Sequence, residues 1–118
     1  MKLKRGDIVT AAFPGDLKKP TCGHPAGGRI DSHTTVLACP FSTFLADAPY
    51  FRPTIDPSLD NGLEARLQIM VDKTTPARKE AIRQVIGRLS DEDMARLEAA
   101  LINITGLRQM ILPVRLKD

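Results

Sequence analysis

The sequence predicts a small, mainly β fold with one helix near its C-terminal end. Three observations support this. Short β-branched runs alternate with Pro, Gly, Asn and Asp clusters. Only one segment, starting at Ser90, combines a capping signal with a helical apolar stripe. The chain has 118 residues, 42% of them hydrophobic and 4% aromatic with no Trp, which suits one domain spanning 1–118 around an aliphatic core.

In chain order, DIVTAAF (7–13) mixes β-branched and small residues and stops at the turn signal Pro14-Gly15-Asp16. KKPTCGHPAGGRI (18–30) follows, with prolines and glycines that suit a central strand poorly. TTVLAC (34–39) reads as a strand ending at Pro40, and YFRPTID (50–56) as an edge strand because it contains Pro53. A long turn from Asp56-Pro57-Ser58 to Asn61-Gly62 leads into RLQIMVDK (66–73). Its alternation places Leu67, Ile69 and Val71 on one face and Gln68, Met70 and Asp72 on the other.

After Thr74-Thr75-Pro76, EAIRQVIGRL (80–89) has an apolar spacing that fits a helix but a Val, Ile and Gly content that fits a strand, so both remain open. The helix begins at Ser90, with acids at 91–93 in its first turn, a stripe of Met94, Leu97, Leu101 and Ile104, and Gly106 at its C-terminal end. The tail LRQMILPVRLKD (107–118) is apolar, then basic.

Net charge is +3, unevenly spread. Residues 1–29 carry six Lys/Arg against Asp7 and Asp16, whereas residues 30–63 carry Arg52 against Asp31, Asp47, Asp56 and Asp60. This polarity is compatible with an anionic partner such as RNA. The few aromatics argue against modules that bind single strands by stacking alone. No apolar run approaches a membrane span, and the charged start MKLKRGD lacks the apolar core of a signal peptide, so a cytoplasmic, reducing location is expected.

The segment between 18 and 39 admits two further readings. Gly27-Gly28 lacks the lysine and following helix of a phosphate-binding P-loop. Cys22, His24, His33 and Cys39 form a set chemically suited to Zn²⁺, but their spacing fits no standard finger and Cys39 lies in a strand that points it at the core. Neither a metal nor another cofactor is expected.

Four stretches resemble, in order and spacing, the MazF/PemK family of toxins from toxin-antitoxin systems, which shares its fold with the gyrase poison CcdB. They are KRGDIVTAAFPGDLKKP (4–20), TVLACPFSTFLADAP (35–49), NGLEARLQIMVDK (61–73) and IGRLSDEDMARLEAAL (86–101), together most of the chain. The resemblance implies an SH3-like β-barrel, a homodimer, a cognate antitoxin partner and metal-independent cleavage of single-stranded RNA. In that chemistry the RNA's own 2′-hydroxyl attacks phosphorus, so the protein assists proton transfer and stabilises charge on the phosphorane.

Carried over by position, the resemblance assigns catalysis to the hydroxyls of Ser42 and Thr43, with Asp16 in the first loop. Lys18, Lys19, Thr21, Gln68 and Lys73 are then expected along the RNA path. The family's arginine precedes a proline at the start of the second strand, in an Arg-Pro-Ala/Val-aliphatic pattern. Here Thr21 stands in its place, and Arg29 is the nearest guanidinium. The alternative is a protein-binding module, either an antitoxin-binding relative without catalysis or a CcdB-like inhibitor of a protein target.

Overall fold

The computed structural model of the chain describes residues 2–12, 20–23, 35–48 and 51–106, and for residues 20–23 it gives the backbone path. Among the described residues seven strands and one α-helix form: β1 (Asp7–Ala11), β2 (Pro20–Gly23), β3 (Thr35–Ser42), β4 (Thr54–Ile55), β5 (Leu67–Ile69), β6 (Thr75–Arg78), β7 (Ile82–Arg88) and α1 (Asp91–Thr105). All strand pairings are antiparallel, in the order β4-β5-β3-β2-β1-β7, with β6 paired to β3. Among the described residues the pairings leave β4 and β7 as edges and close no barrel.

A second strand forms where the composition of 18–30 disfavours one. Its span is short, Pro20 stands first, and it is held on both sides: Thr21 faces Val9 of β1 and Pro40 of β3. Nor does β3 end at Pro40. One edge of β3 pairs β6 through Ala38 and β5 from Phe41, so the proline falls where the partner changes. The carbonyl of Pro40 accepts from Met70 N at 2.7 Å on that side, and the missing N–H interrupts no ladder there.

Thr75 and Pro76, read as part of a break, lie in β6, which among the described residues pairs with β3 alone, an edge position that tolerates proline. The alternation of RLQIMVDK stops after Ile69, because Val71–Lys73 wind into a single 3-10 turn. That turn carries Val71 under α1, within the same core as Leu97 and Ala100.

Of the ambiguous EAIRQVIGRL, Ile82–Arg88 resolves as strand, while Glu80 and Ala81 belong to a single 3-10 turn (Lys79–Ala81) before it. Against β1, Ile8 faces Gly87 but Val9 faces Val85, and Thr10 faces Gln84 but Ala11 faces Ile82. Each skipped residue on β7 is a bulge that resets the side-chain phase, which turns a two-residue period into spacings of three that mimic a helix. Gly87 has a second reason to be glycine: an added Cβ would overlap the backbone carbonyls of Asp60 and Asn61, whose turn crosses β7 there. Arg88 N donates to Asp60 O at 2.9 Å and fixes that crossing.

The turn is itself held by Asn61, a buried amide that both accepts and donates hydrogen bonds. Its Oδ1 accepts from Ser58 N and Leu63 N, both at 2.9 Å, and its Nδ2 donates to Asp56 O at 2.8 Å. Buried polar groups persist when satisfied in this way.

Two cores result. Ile8, Cys39, Phe41, Ile55, Ile69 and Leu97 centre the larger one, and Val9, Ala11, Val36, Ala38, Ala77 and Ile82 belong to the other. Because successive side chains alternate, β1 and β3 contribute to both. The helix follows its signals. Ser90 Oγ accepts from Asp93 N at 3.1 Å, and Gly106 takes the left-handed conformation at φ 74°. Leu97 is fully buried, Met94 and Leu101 pack beside it, and Ile104 at the end of the stripe is exposed.

Candidate functional site

The site develops where β3, β5 and β4 meet. Ser42 ends β3 opposite Gln68 of β5, and Gln68 stands opposite Thr54 of β4. Directly paired residues share a face, so these three make a polar row across the sheet. Gln68 is buried and holds the row to the following loop: its Oε1 accepts from Ala46 N at 2.9 Å, and its Nε2 donates to Ala46 O at 2.8 Å and Thr54 Oγ1 at 3.3 Å. A glutamine is required for this, since only a side-chain amide offers donor and acceptor together to one peptide unit. Ser42 Oγ accepts from Phe44 N at 3.0 Å, which turns the chain out of β3, and Thr43 beside it is exposed.

Beside the row lies an open cleft of about 230 Å³. Gln68 and Thr54 line its base, loop residues Ala46, Asp47 and Ala48 one wall, and Arg52 with Pro53 the other; Arg96 reaches in from α1. Both arginines are held by partners. Arg52 donates to Asp72 through Nε (3.0 Å) and Nη2 (2.9 Å), a bidentate pair. Those bonds hold the Asp72 carboxyl below its usual range and raise the arginine's pKa further, so both groups stay charged at neutral pH. Arg96 Nη1 donates to Thr54 O at 2.8 Å and Asp93 Oδ1 at 3.0 Å.

Of the residues expected at the site, Ser42, Thr43 and Gln68 come together. Position 21 faces Pro40, two residues before Ser42 along β3. Lys73 is exposed at the end of the 3-10 turn after β5. Asp16, Lys18, Lys19 and Arg29 lie outside the described residues, as do His24 and His33.

Cys39 is fully buried, with its Sγ 3.1 Å from Thr74 Oγ1; burial pushes its thiol pKa up, the opposite of what a metal-binding thiolate needs. Among the described residues no group of three or more His, Cys, Asp or Glu is placed to hold a metal ion.

Sequence reasoning passed over Arg52, Arg96 and Asp47. A partial signal for Arg52 was present: Arg52-Pro53-Thr54-Ile55 shares the Arg-Pro pair and the aliphatic fourth position of the Arg-Pro-Ala/Val-aliphatic pattern that the resemblance places at the second strand, with Thr54 at the third position. For Arg96, on the flank of α1, the sequence carried no comparable signal.

Residues 4–105 match the family of PemK-like, MazF-like toxins of type II toxin-antitoxin systems. The chain belongs to that family. Among its relatives is a protein of Mycolicibacterium smegmatis named "Probable endoribonuclease MazF", 33% identical over 111 residues that cover 89% of this chain and 98% of the relative. Solved MazF-type structures share the fold. An endoribonuclease of a mycobacterial species, in complex with its cognate antitoxin, superposes with a TM-score of 0.77 at 21% identity, covering 90% of this chain and 97% of that one. MazF from Deinococcus radiodurans gives 0.74 at 15% identity, covering 90% and 98%. Like them, this MazF-like chain is mainly β with one helix near its C-terminal end. No helix among the described residues is long and apolar enough to cross a membrane.

Proposed function

We propose that this MazF-like toxin is an endoribonuclease that cuts single-stranded RNA in the cytoplasm without a metal, acts as a homodimer and is neutralised by a cognate antitoxin. The observation that supports this best is the near full-length relation to a protein named "Probable endoribonuclease MazF", combined with a polar row in which Ser42 pairs with Gln68, a residue that lines an arginine-bearing cleft. β3 pairs β2 on one edge and β5 and β6 in succession on the other, a branching consistent with an SH3-like barrel.

In the reaction, the 2′-oxygen of the RNA attacks the adjacent phosphorus as its proton passes to a base. The P–O5′ bond breaks, and a proton goes to the departing oxygen, leaving a 2′,3′-cyclic phosphate and a 5′-hydroxyl. We assign proton transfer to Asp16, the phosphorane charge to Arg29, and orientation of the phosphate oxygens to Ser42 and Thr43. Lys18, Lys19, Thr21, Gln68 and Lys73 follow the RNA strand.

Ser42→Ala and Arg29→Ala, assayed on a long single-stranded RNA in EDTA, test these roles. Each is expected to lower kcat/KM by about 10²-fold or more, the typical size for losing one transition-state donor. Unchanged cutting by Arg29→Ala would dismiss that arginine. A second reading draws support from the engagement of Gln68 with Ala46 and of Arg52 with Asp72, both structural uses of polar groups. It keeps antitoxin binding and lacks catalysis. Intact RNA together with tight antitoxin binding would select it.

A further inference from the structure

The cleft beside the polar row holds opposite charges that its own hydrogen bonds leave accessible. Arg52 uses Nε and Nη2 on Asp72 and leaves Nη1 without a partner among the described residues. Arg96 uses Nη1 and leaves the Nε and Nη2 edge, the parallel donor fork that guanidinium groups use for bidentate recognition. Asp47 lines the same cleft, and its carboxylate has no hydrogen bond or ion pair among the described residues. Both arginines are braced from behind by Asp72 and Asp93, so their free donors are oriented before any ligand arrives.

This donor and acceptor set does not suit a phosphate. Each arginine already has a carboxylate partner, and the unpaired Asp47 would repel an anion. It suits a neutral planar group that accepts on one edge and donates on another. The volume, about 230 Å³, is below the roughly 300–1,000 Å³ of pockets that enclose drug-sized ligands, and is right for one heterocycle. Guanine segregates its polar groups in this way: O6 and N7 accept on one edge, the pattern arginine reads most often, while N1–H and N2–H₂ donate on the other. Adenine places its donor N6 between two acceptors, and cytosine lacks the second ring.

We propose that this cleft is a guanine-reading subsite, with Arg96 and Arg52 donating to O6 and N7 and Asp47 accepting from N1–H and N2–H₂; it rests on the RNA substrate proposed above. The site then contributes to the choice of cutting sequence, through a base that lies near the scissile phosphate at Ser42.

The test is a titration of the ¹⁵N-labelled protein with the 5′-monophosphates of guanosine, inosine, adenosine and cytidine, followed at the Gln68 side-chain amide and the Ala46 N–H. The phosphate is common to all four, so differences report the base. GMP is expected to bind about tenfold more tightly than AMP or CMP, and IMP, lacking the N2 amine, to fall between. Asp47→Asn on the exposed loop should weaken both GMP and IMP, which share N1–H, and weaken GMP the more because it alone of the two carries the N2 amine, so that their difference narrows. Equal affinity for all four, or no shift at Gln68 and Ala46, would overturn the proposal. Cleavage is scored separately: RNA cutting without GMP preference overturns only this subsite, and GMP preference without cutting overturns only the catalytic reading.

Discussion

At the scale of single residues, the cleft is built by side chains that hold one another. Arg52 and Asp72 are the clearest case, because the bidentate bond depresses the carboxyl's pKa and is therefore linked to stability. Above the ordinary aspartate value of 3.8 the contribution is fully present, and it is lost as pH falls through the lowered value in the folded state. The partial exposure of both groups keeps the effect modest. Urea midpoints between about pH 2 and 5 should fall with acidification in the wild type and less steeply in Asp72→Asn, which starts less stable at neutral pH. Parallel curves would remove the pair from the account. Gln68 shows the limit of reading by position: the resemblance assigned it to the RNA path, but its amide pairing with Ala46 depends on a loop that only the fold brings back.

At the scale of elements, a strand was legible where its own side-chain phase is undisturbed. β1 and the helix cap at Ser90 followed directly from local chemistry. β7 did not, because its two bulges convert alternation into a helical spacing, and only the register against β1 shows this. Pro40 and Pro76 misled for a related reason, since a missing N–H matters only where a ladder bond would have used it. Gly87 offers a direct check of how the 59–62 turn crosses β7. Gly87→Ala should destabilise the protein by about 1–3 kcal/mol, the usual scale of overpacking, with the urea midpoint lowered and the slope unchanged. An unaltered midpoint would mean that the turn does not lie against the strand.

At the scale of the whole molecule, family membership was legible because four blocks keep their order and spacing over residues 4–101, even though each block is loose. The arginines of the cleft were less legible. Arg52 and Arg96 are 44 positions apart, and only the return of α1 across β4 brings the second guanidinium onto the carbonyl of Thr54. Two cores sharing β1 and β3 give the sheet a rigid centre, and the site lies at the margin of that sheet, where β3 runs out and the loop to β4 begins. End-group analysis of a long single-stranded RNA incubated with the purified protein in EDTA tests cleavage itself. Discrete fragments ending in 2′,3′-cyclic phosphate with 5′-hydroxyl partners are the predicted result; RNA that stays intact with active, antitoxin-binding protein would contradict it.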